Sequence, residues 1–188
     1  MKVVETPLAG LLMLEPTVHR DERGWFVETW RQDRYAAHGL PDFVQDNWSR
    51  SAGNVLRGLH FEIDDPQDQL VYVTAGRVFD VAVDLRPGSP TFGRWHGEEL
   101  SADNARQMFL PGGFAHGFCV LDDFANVHYK CTRTYRAGNE GGVVWNDPEI
   151  GIRWPVENPV IKPRDAAFPR LAALGPATLP RPRREGAG

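Results

Sequence analysis

Apolar and polar positions alternate over short stretches through most of this chain. Residues 70–84, LVYVTAGRVFDVAVD, predict two strands around Thr74-Ala75-Gly76-Arg77. In the second, Phe79, Val81 and Val83 alternate with Asp80, Ala82 and Asp84, the period of two expected of a half-buried strand. RQMFLP (106–111) predicts another strand, ended by Pro111-Gly112-Gly113. GFCVL (117–121) and ANVHYKCT (125–132) flank Asp122-Asp123 and predict a hairpin, and GGVVWND (141–147) predicts a last strand. Helical periodicity is scarce. ETWRQDRYAAHG (28–39) predicts one short helix stopped by Gly39, and DAAFPRLAAL (165–174) a helical turn interrupted by Pro169.

About ten short strands and almost no helix predict an all-β sandwich or barrel. The 19 glycines and 15 prolines fit that reading, because they punctuate short segments. With 188 residues the chain is long enough for one ordinary domain, expected over residues 1–174. The last stretch, GPATLPRPRREGAG (175–188), is expected to be a mobile tail, its Arg181, Arg183 and Arg184 solvated.

Charge and cysteine content narrow the function classes. A net charge of −4 gives no electrostatic footprint for nucleic acid. No run of 18 apolar residues predicts a membrane-spanning helix, and MKVVETPLAG lacks the pattern of a signal peptide, so the cytoplasm is the expected compartment. Cys119 and Cys131 do not make a disulfide framework and are expected to be reduced.

Candidate chemistry begins at RGLHFE (57–62). On a strand, His60 and Glu62 point to one face. His116 ends PGGFAH (111–116), and Pro-x-Gly-x-x-His resembles the second motif of the cupin superfamily, in whose metal-binding members that histidine is a ligand. Those proteins carry His-x-His in their first motif, whereas this chain has His60-Phe61-Glu62. His60, Glu62 and His116 could supply three metal ligands. The alternative is metal-free acid–base chemistry, with His60 oriented by a carboxylate that spacing cannot choose among 25 acidic residues.

Several longer blocks occur in order: DERGWFVETW (21–30), FVQDNWSRS (43–51), LRGLHFE (56–62), GRVFDVAVDLRPGSPTFGRW (76–95), LSADNARQMFLPGGFAHGF (100–118), YKCT (129–132) and WNDPEIGIRWP (145–155). Together they closely resemble the dTDP-4-dehydrorhamnose 3,5-epimerase family over residues 2–170. The resemblance implies a cupin-like jelly-roll β-sandwich with one or two short helices. It also implies a homodimer that acts without metal or organic cofactor on a dTDP-linked 4-keto-6-deoxy sugar. His60 matches the family's base, Asp165 in KPRDAA (162–167) the aspartate paired with it, and Tyr129 the acid. Arg57 and Arg23 match diphosphate contacts, Gln45, Asn47, Phe26 and Glu28 nucleotide-binding positions, and His116 a histidine near the base.

The chain also departs from the family. Gln69 and Tyr72 stand where members commonly carry the lysine and arginine of Lys-Leu-Val-Arg-Val. Trp48 replaces a histidine, and Thr134-Tyr135 replaces a Tyr-Tyr pair; these changes are expected to approach the sugar end. Alternative functions are therefore a single-carbon epimerase, a keto-isomerase of a specialised deoxysugar route, a metal-dependent cupin, or a nucleotide-sugar-binding protein without catalysis.

Overall fold

The computed structural model describes residues 1–181. The described residues form fourteen strands: β1 (Lys2–Glu5), β2 (Leu12–Glu15), β3 (Val18–Asp21), β4 (Gly24–Val27), β5 (Gln45–Ala52), β6 (Val55–Glu62), β7 (Gln69–Ala75), β8 (Arg77–Asp84), β9 (Trp95–Ser101), β10 (Gln107–Leu110), β11 (Phe114–Val120), β12 (Phe124–Cys131), β13 (Glu140–Gly142) and β14 (Val160–Ile161). Among the described residues, helix is confined to α1 (Gln32–Ala36), α2 (Pro163–Ala166) and one 3-10 turn at Leu171–Ala173.

Two sheets carry the fold. One runs β1-β2-β10-β7-β12-β5 and the other β13-β6-β11-β8-β9, with β14 added to β6. From β5 to β8, and again from β9 to β13, successive strands change sheet, as in a jelly roll. Although β11 and β12 flank Asp122-Asp123, they are not the expected hairpin: β11 pairs with β6 and β8, β12 with β5 and β7. The short connection is a corner between the sheets, and strand pattern alone does not distinguish the two. The same holds at Ala75-Gly76-Arg77, where β7 passes to β8. Gly76 has φ +71, and a Cβ there would lie 2.0 Å from the Phe124 carbonyl oxygen. Only glycine fits that corner.

The core lies between the sheets, around Val71, Val73, Ala82, Met108, Phe118 and Val127. β8 departs from the half-buried expectation. Val81 and Val83 face outward, yet the returning segment covers them with Val143, Ile150, Trp154 and Leu171. Burial of each such side chain is worth roughly 1.5–3 kcal/mol. Asp80 and Asp84 on the inner face are themselves fully buried. On the other sheet, α1 lays Tyr35 over Leu14, Leu70 and Phe109.

Of the expected tail, residues 175–181 are described, and 175–178 are exposed. Arg181 N–H donates to the Ile63 carbonyl, and Arg181 Nε lies 2.8 Å from Asp64 Oδ1. Arg183, Arg184 and the rest of 182–188 lie outside the described residues.

Candidate active site

The site is built on β6. Along it, Arg57 and His60 are three apart and would normally face opposite sides of the sheet. A bulge changes that: His116 opposes His60, but Phe118 opposes Arg57, so two steps on β11 match three on β6. The extra residue turns Arg57 and His60 into the same cleft. Glycines permit the close approach, since a Cβ on Gly58 would lie 2.6 Å from Gly117 Cα and one on Gly117 2.7 Å from the Arg57 carbonyl.

Asp165 reaches His60 through the path of the returning chain. Val160 and Ile161 pair in parallel with Val55 and Leu56, which lays the following turn alongside β6. Pro163 opens α2, and Asp165 points inward at 2% exposure. Its Oδ1 lies 3.0 Å from His60 Nε2, and its Oδ2 accepts the Gly58 N–H at 3.3 Å. Burial pushes this carboxyl up, but His60, the Gly58 N–H and Arg164 outweigh it and hold Asp165 below the usual carboxylate value. It is therefore an anion at neutral pH, and the pairing turns His60 Nδ1 to the other side of the ring, where Glu140 Oε1 lies 3.9 Å away.

Tyr129 comes from the opposite sheet, on β12, and lines the same cleft of about 510 Å³. Burial, with smaller contributions from neighbouring charges, raises its phenol above the ordinary value, so it is a proton donor at neutral pH. Gln45, Asn47 and Ser49 alternate inward along β5 and line the cleft with Gln69 from β7. Gln45 Oε1 accepts the Tyr135 N–H at 2.8 Å, and Asn47 Nδ2 donates to Cys131 Sγ at 3.6 Å. Arg57 Nε donates to Ser51 Oγ at 2.9 Å. The side-chain oxygen of Gln69 is buried without a protein partner.

His116 also lines the cleft, and its Nε2 lies 3.0 Å from both oxygens of Asp80. The signal for Asp80 was a lone charge inside the apolar run Val78–Val83. Glu62 shares the His60 face as its spacing predicts, but it lies in an adjoining recess and accepts the Gln67 N–H at 3.0 Å. Burial raises its carboxyl. Among the described residues, no group of three His, Cys, Asp or Glu is arranged to hold a metal ion. Arg164 and Glu140, which flank His60, were not anticipated, and nothing in their spacing marks them.

Five expected positions lie elsewhere. Tyr72 is three residues from Gln69, so it faces the other side of β7, where it stacks on His128 at 5.3 Å. Trp48 lies on that outer side too, stacked on the same ring at 5.8 Å. Strand parity decides both: an odd spacing from an inward residue points a side chain out. Arg23 and Phe26 sit on the β3–β4 hairpin, a separate two-stranded sheet, where Arg23 pairs with Asp21 and Phe26 is 68% exposed. Glu28 pairs with Arg31 and Arg34. None of these five lines the cleft within this chain.

A family model described as dTDP-4-dehydrorhamnose 3,5-epimerase matches residues 5–173. The chain belongs to that family. A dTDP-4-dehydrorhamnose 3,5-epimerase of Neisseria gonorrhoeae is 50% identical over 170 residues, covering 89% of this chain and 52% of its own length. The chain thus spans about half of that relative. A crystal structure of a dTDP-6-deoxy-D-glucose-3,5-epimerase from Legionella pneumophila Philadelphia 1, in complex with dTDP-4-keto-L-rhamnose, is similar at TM-score 0.92 and 46% identity, covering 97% of this chain and 98% of that one. A dTDP-4-dehydrorhamnose 3-epimerase of Streptomyces niveus is 40% identical over 183 residues, covering 95% of this chain and 88% of its own length. This epimerase-family chain keeps the jelly roll that the resemblance implied.

Proposed function

We propose that the protein epimerises a dTDP-linked 4-keto-6-deoxyhexose at C3 and C5. The observation that carries this reading is a base and an acid on opposing sheets of one cleft: His60, oriented by a buried aspartate, and Tyr129, kept protonated by burial. The 4-keto group acidifies the C–H bonds beside it. His60 Nδ1 takes one proton, the electron pair of the broken C–H bond forms an enolate, and Tyr129 O–H returns a proton to the opposite face of that carbon. His60 then releases its proton to solvent and the Tyr129 phenolate takes one back, and the restored pair repeats the cycle at the second carbon. Asp165 holds the ring so that Nε2–H donates to it and stabilises the imidazolium once formed. A positioned acid or base commonly contributes on the order of 10²–10⁴-fold.

Gln69 lines the cleft at a position where the resemblance implies a lysine, and on this reading its side chain meets the enolate oxygen. Its amide can donate a hydrogen bond but carries no charge. Loss of an oxyanion donor costs about 2.7–4 kcal/mol in other enzymes, so a neutral replacement is expected to cost less than that. Arg57 at the cleft supports a diphosphate contact through its fork of donors. The active unit on this reading is a homodimer in the cytoplasm. The exposed Arg23 and Phe26, standing on a hairpin of their own, support delivery of these residues to the cleft of a second copy.

The test is incubation of dTDP-4-keto-6-deoxyglucose with the protein in D2O, followed by NMR. Deuterium at both C3 and C5 is expected. Deuterium at one carbon would replace this reading by a single-position epimerase, and deuterium at neither would remove the substrate.

A further inference from the structure

His60 has a cation beside it that the proton transfers do not in themselves require. Arg164 immediately precedes Asp165 on α2. Its Nη2 lies 3.2 Å from His60 Nε2 and its Nε 3.3 Å from Asp165 Oδ1. Its Nη1 is tied to Glu140 Oε2 at 2.5 Å. The guanidinium lies 5.6 Å from the Phe168 ring, whose plane meets that of His60 nearly edge-on. Contacts on three sides fix its place, although its side chain is 46% exposed.

The surrounding charges give this position a consequence. Asp165 at Nε2 and Glu140 Oε1, 3.9 Å from Nδ1, set a carboxylate on each side of the ring. Glu62 shares the face of His60 on β6, and Asp80 on β8 is engaged with His116, the cross-strand neighbour on β11. Across the cleft, Tyr129 on β12 is neutral, and Arg57 shares the cleft from β6 itself. Among the described residues, Arg164 is the one cation within hydrogen-bond distance of the ring. A base that already holds a proton cannot take one from carbon.

We propose that Arg164 is a positioning residue that keeps His60 uncharged and ready to accept the substrate proton. Its charge balances Asp165 and opposes a proton on the imidazole, and Glu140 anchors it in that place. The same repulsion helps His60 give up its proton before the second carbon is processed. The catalytic meaning rests on the epimerase reading; the electrostatic claim does not.

The experiment is an NMR titration of the His60 Cε1–H resonance, assigned by its loss in His60→Asn, in the wild-type protein, Arg164→Gln and Arg164→Lys. Because the guanidinium is half exposed, screening limits the effect. The midpoint in Arg164→Gln is expected to rise by about half a pH unit to one unit, while Arg164→Lys stays near wild type. The acid limb of the deuterium-exchange rate should move the same way, with a much smaller change on its alkaline side. An unmoved or lowered midpoint in folded Arg164→Gln would overturn the proposal. Should that variant fail to fold, Arg164→Met carries the same expectation and the same refutation. A shifted midpoint in a protein that exchanges neither C–H bond would support the electrostatic role and remove the epimerase reading.

Discussion

Two histidines face one another across neighbouring strands, and each is held by a buried aspartate. His60 on β6 opposes His116 on β11. Asp165 is 2% exposed and Asp80 0%, so burial does not separate the pairs. Their geometry does. Asp80 gives both oxygens to one nitrogen of His116 from the adjacent strand β8. Asp165 gives one oxygen to His60 and the other to a backbone N–H, from a helical turn 105 residues along the chain. His60 has a second carboxylate and a guanidinium around it as well. His116 is held from within its own sheet, whereas the aspartate that holds His60 comes from a separate turn. On the proposed reading, a shared residue pair supports the site at one position and transfers protons at the other.

Replacement of the two aspartates tests that difference. Asp165→Asn should lower the turnover rate by about 10²-fold or more, because the ring loses the anion that orients it and stabilises its charged form. Asp80→Asn should lower it only about tenfold, with a stability loss of about 1–3 kcal/mol from a disturbed buried hydrogen bond. Turnover numbers and denaturant melts measure both. Equal rate losses would break the distinction and make His116–Asp80 a second proton-transfer pair.

Asp84 sharpens the contrast further. It lies on the same strand and face as Asp80, yet serves the turn that follows, accepting from Arg86, Ser89 and Thr91. Burial opposes ionisation there, but Arg86 and the two hydroxyls bring its carboxyl down to about 2. A carboxyl depressed in the folded state stabilises the fold above its unfolded value near 3.9, and that contribution is lost as pH falls toward 2. Asp84→Asn should therefore cost about 2 kcal/mol at neutral pH, flatten the loss of stability between pH 4 and 2, and leave turnover unchanged. A turnover loss in this variant would show that any aspartate of β8 disturbs the site, and the contrast with Asp80 would fail.

The fold class was legible because short alternating runs and abundant Gly and Pro leave little room for helix. What alternation cannot say is which strands pair. Asp122-Asp123 reads like a hairpin turn but is a corner between sheets, since pairing is decided by distant partners. Parity within a strand was available and would have turned Tyr72 and Trp48 away from the cleft. The bulge that overrides parity for Arg57 was not available, because it depends on β11 lying against β6. The His60–Asp165 pairing came from resemblance, not spacing. Arg164 stayed hidden because an arginine beside an aspartate is an ordinary surface pair until β14 brings both onto His60.

The central claim is that His60 is the base for exchange beside the ketone. Deuterium incorporation into dTDP-4-keto-6-deoxyglucose by wild-type and His60→Ala protein measures it most directly. The account predicts label at C3 and C5 with the wild type and a loss of at least 10²-fold in His60→Ala. Exchange by His60→Ala at the wild-type rate would contradict it.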